Sequence, residues 1–164
     1  MPVMTFSADD VLGRAIEVEN KACAFYRSAA ENVENEEMQG LFGYLSDMEK
    51  EHSRIFRELR EGLSEDEKKV QPLDPGNEMF YYLEGMQDLH AWESKIAERF
   101  GIKTPENAKD ILQIALNAEK ETVYFYTFLK DYVPEGQGRT KVETIIREEM
   151  RHAGILQKNL KAMK

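Results

Sequence analysis

The sequence contains the tetrapeptide Glu49-Lys50-Glu51-His52, and the same Glu-x-x-His spacing returns 100 residues later as Glu149-Met150-Arg151-His152. A further glutamate lies 30 residues before each motif, and these two residues are Glu19 and Glu119. Two of the three histidines in the chain belong to this repeat. Four carboxylates and two imidazoles are the side chains that a pair of iron or manganese ions requires. The repeat therefore predicts a two-metal site built from six residues.

The 30-residue separation predicts antiparallel helices. An α-helix rises about 1.5 Å per residue, so two antiparallel helices bring residues to one height when both lie equally far from the turn. Glu119 and Glu149 lie equally far from Pro134, which opens a turn containing two glycines, and the first pair is centred in the same way on the polar residues 31–36. Within each Glu-x-x-His motif, residues i and i+3 share one helix face.

Apolar residues recur with a helical period in four long segments. The predicted helices span about residues 7–32, 36–61, 105–132 and 139–163. Ser7 with Asp10 is a candidate capping pair for the first helix, and Thr104 and Pro105 are the candidate cap and first position of the third. Identical residues recur 100 positions apart outside the motifs, as in Leu12/Leu112, Ala15/Ala115 and Phe25/Phe125. This pattern indicates a duplicated helical hairpin.

The second and third predicted helices are joined by a long crossover, residues 62–104. Such a connection lets the third helix start at the opposite end of a four-helix bundle. An amphipathic pattern within it predicts an extra helix at about 77–100, expected to pack on the bundle or on a second subunit. The predicted fold is therefore an all-α four-helix bundle of two duplicated hairpins, forming one domain over residues 1–164.

Composition argues against several functions. The formal net charge of −9 at pH 7 argues against a nucleic-acid partner. No apolar run is long enough to span a membrane, and the N-terminus lacks the pattern of a signal peptide, so we expect no membrane association. The only cysteine, Cys23, excludes an intramolecular disulfide and agrees with a cytoplasmic location; we expect it to be a buried core residue.

The chain resembles the rubrerythrin and ferritin-like di-iron carboxylate proteins over almost its whole length. The resemblance rests on Glu19-x-x-Ala22-x-x-x-Tyr26, Glu49-x-x-His52, Glu119-x-x-Thr122-x-x-x-Tyr126 and Glu149-x-x-His152. It implies a ferritin-like bundle that binds two iron ions, with Glu49 and Glu149 bridging and Glu19, Glu119, His52 and His152 terminal. It also implies that Tyr26 and Tyr126 donate hydrogen bonds to ligand carboxylates, although both are explained equally well as core aromatics.

Two departures from the family pattern bear on function. Rubrerythrins usually add a rubredoxin-like iron site with four cysteines, which one cysteine cannot build. They also tend to carry a further glutamate at the position of Thr122, so this site is more symmetric and nearer the bacterioferritin ferroxidase pattern. No segment after the fourth helix is predicted to form the fifth helix that closes ferritin cages.

Three classes of function follow from these residues. The first is a di-iron oxidoreductase that reduces peroxide or dioxygen, which needs an external electron-donor protein and is expected to be a homodimer. The second is a ferroxidase or iron-storage protein, and the third is a bundle without a functional metal, which six intact ligands disfavour. Manganese or a mixed metal pair remains an alternative to iron. Glu51 and Glu148 are expected to be solvated, and His90 to be a packing or surface residue.

Overall fold

The computed structural model describes residues 7–69, Tyr81 and residues 107–163, which contain four long α-helices and no strand. The helices are α1 (Ala8–Asn32), α2 (Glu36–Glu61), α3 (Ala108–Leu129) and α4 (Gln137–Ala162). The predicted all-α class is confirmed. Apart from Tyr81, the helix predicted at about 77–100 lies outside the described residues, as do the side chain of His90 and the predicted cap at Thr104. No helix among the described residues is both long and apolar enough to cross a membrane.

The first helical hairpin begins and turns at capping residues. Ser7 forms the predicted capping box, because its hydroxyl accepts from the backbone N–H of Asp10 while the Asp10 carboxylate accepts from the N–H of Ser7. Asn35 caps α2 through the backbone N–H of Met38. Each such cap stabilises its helix by about 1 kcal/mol. The short turn between them makes α1 and α2 antiparallel neighbours.

The second hairpin differs from the prediction at three boundaries. Helix α3 begins at Ala108 rather than at Pro105, because Asn107 has extended backbone and its side chain accepts from the N–H of Asp110. It ends at Leu129, and the predicted final turn is a 3₁₀ helix over Lys130–Tyr132. Helix α4 begins at Gln137 rather than Arg139, directly after Gly136, whose φ of 107° is a conformation that favours glycine.

The apolar core consists of two clusters that lie at opposite ends of the described bundle. One cluster contains Phe25, Ala29, Met38, Phe42, Leu45, Ile111, Leu112, Leu116 and Leu156, and the other contains Leu12, Ala15, Val18, Phe56, Phe125, Leu129, Val142 and Ile145. Along every helix, the predicted metal ligands lie between the segments that enter these two clusters. The fold therefore places a polar layer at the middle of the bundle, closed by apolar packing on both sides.

Candidate metal centre

The structure brings together all six side chains of the predicted site. Their potential ligand atoms form two groups, and within each group the atoms all lie within 4.8 Å of one another. The first group is Glu19, Glu49, His52 and Glu149, and the second is Glu49, Glu119, Glu149 and His152. None of the six residues is more than 4% exposed. Because Glu49 and Glu149 belong to both groups, they occupy the positions expected of bridging carboxylates.

Both histidines point the Nδ1 atom of the imidazole into the site. The Nδ1 atom of His52 lies 2.8 Å from Glu149 Oε1, 3.1 Å from Glu49 Oε2 and 3.8 Å from Glu19 Oε1. The Nδ1 atom of His152 lies 3.2 Å from a Glu149 oxygen, 3.4 Å from a Glu49 oxygen and 3.8 Å from Glu119 Oε1. Each imidazole thus meets three carboxylates, which makes one nitrogen and three carboxylate groups available to each of two ions.

The tyrosines of the two halves exchange partners across the bundle. The Tyr26 hydroxyl on α1 donates to Glu119 Oε1 on α3, and the Tyr126 hydroxyl on α3 donates to Glu19 Oε1 on α1. Both tyrosine side chains are fully buried. Each bond fixes the carboxylate of one glutamate that belongs to a single group, and the two bonds together tie α1 to α3. The family resemblance implied hydrogen bonds of this kind, beside the equal alternative of core aromatics, but not the exchange between halves.

Burial and mutual repulsion make two of the carboxyls poor acids in the metal-free site. Burial raises the pKa of Glu19 well above its usual value, and the nearby carboxylates of Glu149 and Glu49 raise it further. The pKa of Glu119 is raised well above its usual value by burial and by the same two carboxylates. Without a metal, these two terminal carboxyls are therefore biased toward the neutral form.

The histidines and Glu149 respond in the opposite sense. Burial acts to lower the pKa of His52, but its close contacts with the carboxylates of Glu149 and Glu49 outweigh burial and raise the pKa to about 12. The same balance, with the same two glutamates, raises the pKa of His152 to about 9. Burial acts to raise the pKa of Glu149, but close contacts with the imidazoles of His152 and His52 hold it well below its usual value. Protons on the imidazoles thus supply, in the metal-free protein, positive charge beside the shared carboxylates.

Two buried carboxylate oxygen atoms of the site are available as metal ligands. Among the described residues, Glu49 Oε1 and Glu149 Oε1 are buried and have no hydrogen-bond partner. Glu149 Oε1 lies close to His52 Nδ1, but the approach does not have the geometry of a hydrogen bond. An unsatisfied buried polar atom costs about 1–3 kcal/mol, and both atoms belong to the shared carboxylates. Oxygen and imidazole donors in this number suit two divalent transition-metal ions, so the residues present fit a two-metal centre.

Two expectations for residues near the ligands had different outcomes. Glu51 is exposed and pairs with Arg54 on the same helix, as expected of a solvated residue. The expectation that Glu148 is solvated was wrong, because its side chain is only 33% exposed and its Oε2 atom lies 2.9 Å from His52 Nε2. The sequence pattern did not predict this contact because it joins α4 to α2, and the pattern indicates only which residues share a face of one helix. Cys23 is buried as expected, within 3.4 Å of the Ser46 hydroxyl.

A cavity between α1 and α3 leads to the carboxylates. Its wall includes the small side chains of Val18, Ala22, Ala118 and Thr122, together with Tyr26, Glu121 and all four ligand glutamates. The Thr122 hydroxyl donates to the Ala118 carbonyl of its own helix, so it adds no carboxylate to the site. The cavity offers about 30 Å³ to the centres of water-sized molecules, and one such molecule needs roughly 10–15 Å³. The cavity is therefore small and leads to the cluster of carboxylates.

Comparison with known proteins gives two matches. The sequence model of the family described as Rubrerythrin matches residues 10–109, which include Glu19, Glu49 and His52. A crystal structure described as a ferritin-like diiron-carboxylate protein from Thermotoga maritima is similar with a TM-score of 0.73 and 24% identity, covering 98% of this chain and 99% of that chain. No curated protein matches. The structural likeness confirms the predicted ferritin-like fold.

Proposed function

This chain belongs to the rubrerythrin family, and we propose that it is a di-iron oxidoreductase that reduces peroxide or dioxygen with electrons from an external donor. The observation that carries the proposal is the pair of buried ligand groups that share Glu49 and Glu149. Glu19 and His52 would complete one iron position, and Glu119 and His152 the other. Iron is preferred to manganese because the similar Thermotoga maritima protein is described as a diiron-carboxylate protein.

The cavity supports a small oxygen substrate. Its apolar wall residues, Val18, Ala22 and Ala118, limit the room beside the carboxylates to about two water-sized molecules. Hydrogen peroxide and dioxygen are small enough to approach the carboxylates through such a cavity. Because the cavity opens on the side of Glu19 and Glu119, a substrate would meet the two terminal carboxylates that the tyrosine hydroxyls hold in place.

In the reduction of peroxide, the iron pair, the two tyrosines and the external donor have different roles. Reduction of one hydrogen peroxide to two waters consumes two electrons and two protons. The iron pair, when bound, supplies two electrons, one from each ferrous ion. The hydrogen bonds from Tyr26 and Tyr126 orient the terminal carboxylates beside the cavity. A single cysteine cannot build a rubredoxin-like iron site, so continued turnover needs a separate donor protein.

One observation favours a second candidate function, iron oxidation and handling. The Thr122 hydroxyl is turned to its own helix, so this side of the site lacks the further carboxylate that rubrerythrins tend to carry. The two halves contribute the same side chains, two glutamates and one histidine each, to the set of four glutamates and two histidines. Such a symmetric site is closer to the ferroxidase pattern, in which iron itself is the substrate. The two candidates differ in the oxidant they prefer and in the fate of the iron.

Rapid mixing of anaerobic Fe(II)-loaded protein with hydrogen peroxide or with dioxygen tests the proposal. We expect faster oxidation by peroxide, and turnover only when an electron donor is added. Ala22→Leu fills the cavity and should slow oxidation without changing the bound iron, whereas Ala24→Leu, on the exposed side of the same helix, should change neither. Rapid oxidation by dioxygen that deposits a ferric mineral in a large assembly would contradict the proposal and favour storage. Sedimentation measures that assembly and tests the expected homodimer.

A further inference from the structure

The two histidines of the metal centre differ at the nitrogen that points away from it. The Nε2 atom of His52 lies 2.9 Å from Glu148 Oε2. The Nε2 atom of His152 is buried and has no hydrogen-bond partner among the described residues. Both imidazole rings are fully buried, and they stack with centroids 5.8 Å apart. Two ligands that are equivalent by sequence therefore have different surroundings.

The repeat explains this difference through one substitution. Glu148 immediately precedes the shared ligand Glu149, and the residue that precedes Glu49 in the other half is Met48. A thioether cannot replace a carboxylate as the acceptor of a strong hydrogen bond. The ring of Tyr44 on α2 makes an edge contact with His152, with centroids 6.3 Å apart, and its hydroxyl accepts a hydrogen bond from Arg151 at 2.7 Å. Neither side chain supplies His152 with a carboxylate.

A carboxylate on the far nitrogen changes an imidazole as a metal ligand. When Nε2–H donates to Glu148, the tautomer of His52 is fixed with Nδ1 as the free electron pair, and the ring is held in its orientation. The negative charge also makes Nδ1 a stronger donor to a cation. Removing such a partner typically lowers metal affinity by about 10–100-fold. Among the described residues, no carboxylate fixes the tautomer of His152 or adds a negative charge beside its Nε2 atom.

We propose that Glu148 is a positioning residue that makes the metal position of His52 the tighter of the two, so that the two ions bind in a fixed order. The first ion occupies the group of Glu19, Glu49, His52 and Glu149, and the second completes the site beside His152. This inference rests on the metal centre of the proposed function, but not on its redox chemistry. It predicts that the two ions bind in order, although the two halves of the sequence carry the same ligands.

Calorimetric titration of the metal-free full chain with Mn(II) tests the order of binding. We expect two steps in the wild type, separated by about 10–100-fold in affinity. Glu148→Ala should weaken the tighter step by a similar factor, whereas Glu148→Gln keeps an acceptor oxygen and should restore part of the loss. Met48→Glu supplies the missing carboxylate and should narrow the gap between the steps. Glu51→Gln removes an exposed carboxylate of the same helix and should change neither step.

The outcomes separate this inference from the proposed function. Absence of any tight Mn(II) binding would overturn both, because no metal centre would exist. Two steps of equal affinity in the wild type, or affinities unchanged in Glu148→Ala, would overturn the inference and leave the centre intact. An undiminished gap in Met48→Glu would equally count against it.

A second measurement does not depend on affinity. In the zinc-loaded wild type, both imidazoles bind through Nδ1 and carry a proton on Nε2, and ¹⁵N spectra should show a strong hydrogen bond at the Nε2–H of His52 and none at that of His152. Glu148→Ala should lose that signal while its amide spectrum stays dispersed, which excludes unfolding as the cause. The same imidazole spectrum in the wild type and in Glu148→Ala would overturn the proposal.

Discussion

Metal binding should displace protons from the buried site, and the number displaced follows from its charges. At pH 7 the imidazoles of His52 and His152, with pKa values raised to about 12 and about 9, both carry a proton in the metal-free protein. Each must lose the proton on Nδ1 before that atom can bind a metal. Glu19 and Glu119 add to this number to the extent that their raised pKa values keep them neutral.

The expected number lies between two and four. The histidines contribute about two protons, and the terminal glutamates contribute up to about two more. Four released protons would match the four positive charges of two divalent ions, so the net charge of this buried layer would stay unchanged. Such compensation is expected because a change of net charge inside a bundle is costly.

Titration calorimetry in buffers of different ionisation enthalpy counts these protons directly. At pH 7, the observed enthalpy of Mn(II) binding plotted against the buffer enthalpy has a slope equal to the number of protons released. His152 loses its proton as the pH rises through about 9, so it has none left to release above that value. The count should therefore fall by about one between pH 8 and pH 10.

The number of released protons can be checked with a control variant, and one result would refute the reasoning. Glu51→Gln removes an exposed carboxylate that pairs with Arg54, so it should leave the count unchanged. Release of fewer than one proton per two ions at pH 7 would refute the reasoning. It would mean that the metal-free imidazoles are neutral and do not balance the shared carboxylates.

Three further predictions concern stability and stoichiometry. The raised pKa values of His52 and His152 give stability that is complete below about pH 6.5 and is lost as the pH rises through the folded-state values. Calorimetry should therefore show the metal-free melting temperature falling from pH 7 to pH 10 while the Mn(II)-loaded protein falls less; parallel curves would contradict this. Glu149→Ala removes a carboxylate shared by both groups, and elemental analysis should find at most one tightly bound metal per chain, whereas two would contradict the bridging role. Tyr26→Phe leaves a Glu119 oxygen without its donor, so urea unfolding should show a loss of about 1–3 kcal/mol with both metals retained; an unchanged free energy of unfolding would contradict it.

The clustering of the six side chains was predictable because their spacing is a property of single helices and short hairpins. The period of the helix places Glu49 beside His52 and Glu149 beside His152 without any knowledge of the rest of the fold. The capping box at Ser7 was predictable for the same reason, since both partners lie within one turn. Helix α3 begins three residues after the predicted start at Pro105, because Asn107 is its N-cap.

Apart from one local helix cap, the contacts that sequence reasoning missed depend on how the helices are placed against one another. Asn107, with Asp110 three residues later, carries a capping signal that a closer reading of the local sequence would have found. Glu148 carries no such local signal, because the residue before a ligand points about 100° away from it on an isolated helix. Its contact with His52 exists only because α2 lies on that side of α4. The exchange of tyrosine partners between α1 and α3 also requires the assembled bundle.

The duplication also indicates which residues make the two metal positions differ. Each half contributes two glutamates and one histidine, so the two predicted metal positions are nearly symmetric. Any difference between the two positions must therefore come from the residues that contact these six side chains. The repeat diverges at such positions, with Glu148 beside His52 but Met48 at the matching position of the other half, and with Thr122 against Ala22 in the cavity wall. A change to a ligand removes an ion, whereas a change at these neighbours alters the strength, order or access of binding. Selection can therefore tune each half separately while the metal-binding geometry of the duplicated hairpins stays fixed.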